Sequence, residues 1–106
     1  MHLMHFVYIL YSPSFNRYYI GETENPDRRL EQHRNHSFPG ASTRIASDWE
    51  LQTCLKTKNR MEARQLEAFL KKMKSKTFLE KLVNDAICRE GFIRDVGKRL
   101  NITLDD

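Results

Sequence analysis

The side chains that could perform chemistry form an ordered series along the chain. Tyr8 and Tyr19 lie in two apolar stretches near its start. Arg29 and His33 follow four residues apart, and Glu67 comes much later. Phenol, imidazole and carboxylate groups can exchange protons, a carboxylate can bind a metal ion, and a guanidinium can hold an anion such as a phosphate. These side chains could act together only if the fold brought them to one place.

Taken one at a time, the same residues have ordinary structural explanations. Tyrosines in apolar strands are mostly core aromatics whose hydroxyl reaches the rim of the core. A helix that carries Arg29 and His33 could simply present them to water. Glu67 could form an exposed ion pair with Lys71, four residues further along its helix. The functional interpretation therefore depends on the whole set and hardly at all on one member.

A β-hairpin is predicted to position the two tyrosines. Residues 3–11 carry apolar side chains on both alternating faces, which suits a central strand. A turn cluster then separates them from a second strand at 17–23. Pairing centred on the Pro-Ser bond of that turn would place Tyr8 directly opposite Tyr19, with both side chains on the same face of the sheet.

A short helix is predicted to carry the arginine and the histidine. Asn25 suits the N-cap and Pro26 the first helical position, so the helix runs to about residue 35. Residues four apart face the same side of a helix, which puts Arg29 and His33 side by side.

A loop, a strand and a long helix are predicted next. The segment at 36–48 follows neither a helix nor a strand period, and its length suggests a binding loop. Residues 49–55 alternate as a third strand with one face exposed to water. A capping box at 59–62 begins a helix over about 60–73, and Glu67 lies at the border of its apolar stripe.

The C-terminal part is predicted to hold one more helix and a tail. Thr77 and Glu80 can cap a helix that ends at Gly91. Beyond it, apolar residues could form one or two amphipathic turns, whereas the acidic end suggests fraying. We therefore divide the chain into a domain at 1–90 and a C-terminal extension at 91–106.

The composition excludes several classes of protein. The chain has 106 residues, which suits one compact domain. The longest apolar run, from Phe6 to Tyr11, is far too short to cross a membrane. Cys54 and Cys88 lie far apart and cannot form a four-ligand zinc site by themselves. We expect a soluble, cytoplasmic protein without a membrane partner.

The balance of charge favours a polyanionic partner, with nucleic acid the first to consider. Eighteen Lys and Arg against fourteen Asp and Glu give a formal charge of +4 and a pI of about 9.2. The segment at 56–81 carries nine of the eighteen basic residues, as a phosphate-facing surface or as an ordinary solvated helix face. The candidate nucleic-acid contacts are Gly21, Arg28, Arg44, Lys71, Lys74 and Lys76.

The ordered series resembles the GIY-YIG nuclease superfamily, and within it the small stand-alone bacterial proteins. The resemblance covers about residues 4 to 85, and the first tripeptide lacks the family's glycine and isoleucine. It implies an α+β fold with a small three-stranded antiparallel sheet flanked by helices, in agreement with the elements predicted above. The markers are Phe6-Val7-Tyr8, the intact Tyr19-Ile20-Gly21, and then Thr23, Arg29, His33 and Glu67 at the family's spacing.

The same resemblance implies a role for each marker side chain. Tyr8 would contact or deprotonate the attacking water, Tyr19 would support the water or the phosphate, and His33 would assist the tyrosines. Arg29 would hold the phosphate, and Glu67 would bind one divalent cation, Mg²⁺ or Mn²⁺. A base role for Tyr8 requires a nearby cation that lowers its pKa from about 10, whereas a hydrogen-bonding role requires less.

The resemblance implies a metal-dependent endonuclease that hydrolyses DNA phosphodiester bonds. Because no segment looks like a reader of base sequence, we expect DNA structure or damage to direct it, as in repair or recombination, or a protein partner to supply specificity. The choice between DNA and RNA and the oligomeric state stay open. Two other functions compete: a nucleic-acid-binding module with this fold and no catalysis, and an interaction domain that uses residues 92–104.

Overall fold

A computed structural model describes residues 4–35, 46–73, 75–102 and 104–105. Arg44, Lys74 and most of the predicted binding loop therefore lie outside the described residues. The main strands are antiparallel and are packed against helices, which confirms the predicted α+β fold. In chain order the elements are β1 (His5–Ser12), β2 (Arg17–Thr23), α1 (Pro26–Arg34), β3 (Glu50–Thr57), α2 (Arg60–Met73), α3 (Lys76–Asn84), α4 (Ala86–Leu100) and β4 (Leu104–Asp105).

The sheet has the strand order β2-β1-β3-β4, with β1 in its interior and β2 at one edge. Val7 and Ile9 of β1 face a large apolar core formed with α2, α3 and α4, while Tyr8 and Leu10 face a smaller core on the other side. All four side chains are at most 1% exposed, as the apolar character of both strand faces predicts. The fourth strand has only two residues and extends the three predicted strands at the far edge.

The register of the hairpin differs from the prediction. Tyr8 is paired with Gly21 and Leu10 with Tyr19, so the two tyrosines are diagonal neighbours and do not stand opposite each other. The predicted pairing was centred between Pro13 and Ser14, whereas the observed pairing is centred between Ser14 and Phe15, within a four-residue connection that ends at Asn16 in the left-handed region with φ 52°. Because the register moves by two residues, the prediction that both phenols share one face still holds.

The alternation predicted for β3 is interrupted by a β-bulge. Leu55 lies beside Val7 in the large core, whereas Leu51 lies beside Leu10 in the small core. The register shifts between Ile9 and Leu10, and the extra residue turns the rest of the strand over. Leu51 and Leu55 therefore face opposite sides of the sheet, although simple alternation put them on one side.

The helix that carries Glu67 begins as predicted. The Asn59 side chain accepts a hydrogen bond from Glu62 N at 3.0 Å, which caps α2. The Glu62 carboxylate, however, accepts from Lys58 N at 3.1 Å, one residue before the partner of a standard capping box. Ala63 and Leu66 are fully buried and seat α2 across β1 and β2.

The predictions for the following helices are wrong at their ends. Ser75 caps α3 through a bond from Phe78 N at 3.1 Å, in place of the predicted cap at Thr77. Asp85 ends α3 and caps α4 through Ile87 N and Cys88 N, so Gly91 lies inside a helix and does not end one.

The tail continues the fold beyond the helices. Of the two alternatives for the tail, the amphipathic turns are present as the second half of α4, which the left-handed Asn101 ends. Leu104 and Asp105 then pair with Thr57 and Lys56 of β3, although the acidic end suggested fraying. The division of the chain at residue 90 stays a prediction. No helix in the described part of the chain is long and apolar enough to cross a membrane.

Candidate active site

The two phenols form one wall of the candidate site. Tyr8 and Tyr19 project from the sheet face that carries α1, and their ring centroids lie 6.2 Å apart. Tyr8 is 1% exposed within the small core, and Trp49 of the same core makes a T-shaped contact with Tyr19, 6.5 Å between centroids. The side chain of Arg34 donates to Trp49 O at 2.8 Å and so ties the end of α1 to the start of β3. Sequence reasoning assigned no role to Trp49 beyond its strand.

Gly21 provides the space that the Tyr8 ring occupies. It is buried directly opposite Tyr8 on the neighbouring strand, and a Cβ atom at Gly21 would lie 2.6 Å from Cζ of Tyr8. No real Cβ atom comes so close to a ring carbon, so any other residue would displace the phenol. The glycine of the Tyr-Ile-Gly tripeptide thus positions the tyrosine of the first one, and its predicted contact with nucleic acid stays a prediction.

His33 completes a hydrogen-bonded pair with Tyr8. Its Nε2 lies 2.9 Å from Tyr8 Oη, and its ring centroid lies 4.9 Å from that of Tyr19. The Asn25 side chain accepts from Arg28 N at 3.1 Å and fixes the start of α1, which delivers His33 to the small core two turns later. The imidazole is only 2% exposed. The predicted N-cap at Asn25 is confirmed, as is the prediction that Arg29 and His33 share one side of α1.

Burial keeps both partners of this hydrogen bond uncharged at neutral pH. Burial, reinforced by the neighbouring Tyr19 and by Glu67, raises the pKa of Tyr8 well above its ordinary value, although Arg29 acts in the opposite direction. Burial also lowers the pKa of His33 to about 4, and the positive charge of Arg29 adds to this effect. The site therefore holds a neutral phenol against a neutral imidazole, and not a phenolate.

Arg29 lies between these groups and an open, polar surface. It is half-buried and close enough for its charge to act on both Tyr8 and His33. It also lines a pocket of about 200 Å³, together with Thr23, Glu24, Asn25, Arg28 and Gln32. The exposed Arg28 thus borders the same pocket as Arg29, so two arginines line it.

Glu67 reaches the site from the opposite side of the sheet. The helix α2 packs on the face that carries Val7, whereas the phenols occupy the other face, so the side chains of α2 pass around the edge strand β2. Glu67 has a side chain 20% exposed, and its charge contributes to the raised pKa of Tyr8. The border position predicted from the helical stripe is therefore the position from which the acid approaches the phenol.

Lys71 accompanies Glu67 into the site. Its Nζ lies 2.6 Å from Glu67 Oε2 and 5.9 Å from the centroid of the Tyr19 ring. Glu67 thus forms the ordinary ion pair with Lys71, and it also lies near the phenols. Sequence reasoning placed Lys71 on a phosphate-binding surface but did not predict its contact with Tyr19. Lys76 is exposed at the start of α3, without a contact that links it to this cluster among the described residues.

The donor set fits one hard divalent cation bound with the help of a substrate. The described residues contain no group of three or more His, Cys, Asp or Glu side chains that could enclose a metal. Mg²⁺, however, is commonly held by one or two carboxylates, with waters and substrate phosphates as its other ligands. Glu67 is a carboxylate close to the phenols, so its oxygens could contribute to such a site.

Glu22 is a second acid near the site that the sequence did not assign. It follows Gly21 on the opposite face of β2, at 3.5 Å from His5 Nε2 and 3.7 Å from Arg60 Nε. Its charge also contributes to the raised pKa of Tyr8. A cavity of about 320 Å³ borders Glu22 and extends to Arg29, so the two faces of β2 are joined at its C-terminal end.

Comparison with known families agrees with this geometry. A family model described as the GIY-YIG catalytic domain matches residues 4–81, which is most of the 106-residue chain. The match includes both tyrosines, Arg29, His33 and Glu67. No curated protein matches the chain at a significant level.

Proposed function

We propose that this chain, which belongs to the GIY-YIG nuclease family, is a divalent-metal-dependent endonuclease that hydrolyses phosphodiester bonds of DNA. The observation that carries the proposal is the buried Tyr8–His33 hydrogen bond at 2.9 Å, with the charges of Arg29 and Glu67 both acting on Tyr8. The charges of an anion-binding group and of a carboxylate thus act on a hydrogen-bonded pair that could transfer a proton.

Tyr8 acts in this proposal as a proton relay. Because the phenol keeps its proton at neutral pH, it donates that proton to Nε2 of His33, whose Nδ1 then carries the imidazole hydrogen. As a water molecule attacks phosphorus, its proton passes to Tyr8 Oη while the phenol proton passes to His33 Nε2. The new bond joins the water oxygen to phosphorus, the bond to the leaving sugar oxygen breaks, and that oxygen takes up a proton from solvent water. A relay needs no free phenolate, which burial of Tyr8 disfavours.

Arg29 and Glu67 supply the opposite charges that this reaction needs. Arg29 lines the polar pocket, its charge acts on Tyr8 and His33, and it would hold the non-bridging oxygens of the phosphate, where negative charge increases in the transition state. Glu67 would hold Mg²⁺ or Mn²⁺, and a cation bound there supplies positive charge to the phosphate and to the leaving oxygen. Tyr19 packs against His33 and fixes the orientation of the imidazole.

The choice of target is proposed to depend on the shape of the DNA. The pocket that Arg29 lines is formed by polar and charged side chains of β2, the following turn and α1, which suit contact with a phosphate more than with base edges. Distortion at a branch, nick or lesion would bring a phosphate into this pocket. A role in repair or recombination follows, with RNA as the alternative substrate and a protein partner as a further source of specificity.

A cleavage panel tests this function. Labelled flap, fork, junction, single-stranded and duplex DNA are incubated with the protein in Mn²⁺, in Mg²⁺ and in EDTA. We expect cleavage of at least one branched substrate with a divalent cation, none in EDTA, and loss of cleavage in Glu67→Gln. Glu80→Gln removes an exposed acid from α3 and is the matched control. Equal activity of the Glu67 and Glu80 variants, or no cleavage of any substrate by the wild type, would contradict the proposal.

The same site favours one alternative, a binding module without turnover. The Glu67 carboxylate is engaged by Lys71 at 2.6 Å, as in a purely structural ion pair. This alternative predicts DNA binding with a steep dependence on salt concentration and no cleavage of any substrate in the panel. The same binding and cleavage measurements therefore separate the two functions.

A further inference from the structure

Lys71 forms an ion pair with Glu67, the acid that the proposed function assigns to the cation. Its Nζ lies 2.6 Å from Oε2 of Glu67, a distance typical of a strong charge-assisted hydrogen bond. The carboxylate side chain is 20% exposed, whereas that of the lysine is 51% exposed. The lysine is thus the more exposed partner, and its ammonium can reach water or another anion more easily than the carboxylate can.

The lysine is also held on the substrate side of the site. Its Nζ lies 5.9 Å from the centroid of the Tyr19 ring, within the range in which an ammonium is attracted to an aromatic face. A lysine that left Glu67 would therefore remain beside Tyr19, where a bound phosphate would lie. An ammonium on a flexible chain can exchange one oxygen anion for another at low cost.

We propose that Lys71 is an exchangeable counter-ion: it neutralises Glu67 in the free protein, and a backbone phosphate of bound nucleic acid draws it away and exposes the carboxylate to the divalent cation. The proposal rests on the proposed function, because it assumes that Glu67 holds the cation. It makes Lys71 a residue that couples the two ligands, so each would increase the affinity of the protein for the other by the same factor. The free protein would then bind the divalent cation weakly, and the cation would bind tightly only once nucleic acid is in place.

Binding of Mn²⁺ to the protein without nucleic acid tests the first half of this proposal. Electron paramagnetic resonance counts free Mn²⁺ during a titration of the wild type, Lys71→Met and Glu67→Gln. We expect Lys71→Met to bind Mn²⁺ about fivefold to tenfold more tightly than the wild type, since the competing ammonium is gone, and Glu67→Gln to lose the site. Lys72→Met removes the same charge from the next position of α2, is exposed, and should stay within about twofold of the wild type.

The coupling itself is measured by DNA affinity. Fluorescence anisotropy with a labelled forked duplex is recorded with and without Mn²⁺ in a Tyr8→Phe background, in which turnover is slow. We expect Mn²⁺ to strengthen DNA binding in that background, and Lys71→Met to reduce this increase several-fold. Thermal unfolding of each variant confirms that the fold is intact.

The outcomes separate this inference from the function on which it rests. Unchanged Mn²⁺ affinity in Lys71→Met, together with a loss of the site in Glu67→Gln, would overturn the role of Lys71 and leave the nuclease proposal in place. Unchanged Mn²⁺ affinity in Glu67→Gln would overturn the metal site and this inference together. Equal tightening in Lys71→Met and Lys72→Met would show a general effect of charge and would also overturn it.

Discussion

Gly21 lies directly opposite Tyr8 in the β1–β2 ladder, and the absence of a side chain at Gly21 is what admits the phenol ring. This pairing connects the two tripeptides physically, because the glycine of one sets the position of the tyrosine of the other. Both residues are buried, so the contact belongs to the folding of the small core as well as to the site.

The first prediction concerns that contact. Gly21→Ala places a methyl group 2.6 Å from Cζ of Tyr8, which forces the buried ring to move. We expect a loss of about 1 to 3 kcal/mol in the free energy of unfolding, typical of overpacking in a core, and a loss of cleavage. Urea unfolding measures the first quantity, and the cleavage panel measures the second.

A second glycine provides the control for this substitution. A Cβ atom at Gly91 would meet no atom within 4 Å, and Gly91 lies in the interior of α4. Gly91→Ala should therefore stabilise the protein by about 0.5 to 1 kcal/mol through the better helix propensity of alanine. Equal losses of stability at Gly21 and Gly91 would contradict the importance of the Tyr8 contact.

The second prediction is a pH dependence of stability caused by His33. The unfolded imidazole binds a proton below its ordinary pKa of 6.5, whereas the folded one does so only near 4. The stabilisation that the fold gains from neutral His33 is therefore fully present above about pH 6.5 and is lost as the pH falls toward 4. We expect the protein to lose about 2 kcal/mol between pH 7 and pH 5 from this group.

Urea unfolding at the two pH values checks this effect, with His33→Gln as the reference. The variant lacks the titrating group. Its free energy of unfolding should therefore fall by about 2 kcal/mol less than that of the wild type between pH 7 and pH 5. The other ionisable groups are common to both proteins and cancel in the comparison. Identical pH dependences would show that the imidazole is not held in its neutral form by the fold.

The third prediction concerns the hydroxyl of Tyr8. Tyr8→Phe keeps the ring against Gly21 but removes the atom that lies 2.9 Å from His33 Nε2. We expect the single-turnover rate to fall by about 100-fold or more, the usual contribution of positioned proton transfer. Tyr18→Phe, on the opposite face of β2, should retain the wild-type rate within about twofold. A similar loss in both variants would indicate damage to the strand and no special role of Tyr8.

Local signals in the sequence were sufficient for much of the fold. The Asn25 cap, the start of α2 at Arg60 and the apolar faces of β1 depend on neighbours in the chain, and these predictions are confirmed. The predicted hairpin register was wrong because moving the turn centre by one residue shifts the pairing by two and leaves the same side chains on the same faces, so the apolar pattern does not distinguish the two registers.

Other parts of the structure depend on contacts that a sequence does not display. Glycine is typical of a helix end, but Asp85 caps a new helix before Gly91. The burial of Phe92 and Val96 in the large core stabilises the part of that helix that follows the glycine. The apolar stripe of α2 predicted that Glu67 lies at the border of that stripe, but it did not show which side chains Glu67 would contact. That Glu67 and Lys71 pass around the edge strand to Tyr8 and Tyr19 follows only from the tertiary fold.

The most direct test of the proposed mechanism is a double-mutant cycle between Tyr8 and His33, measured as single-turnover cleavage of the best branched substrate in Mn²⁺. If one proton passes along the pair, each single variant, Tyr8→Phe and His33→Gln, breaks the same relay, so the double variant should be slower than the worse single variant by less than about threefold. Rate losses that multiply in the double variant would show two independent roles and would contradict the relay at the centre of the proposed function.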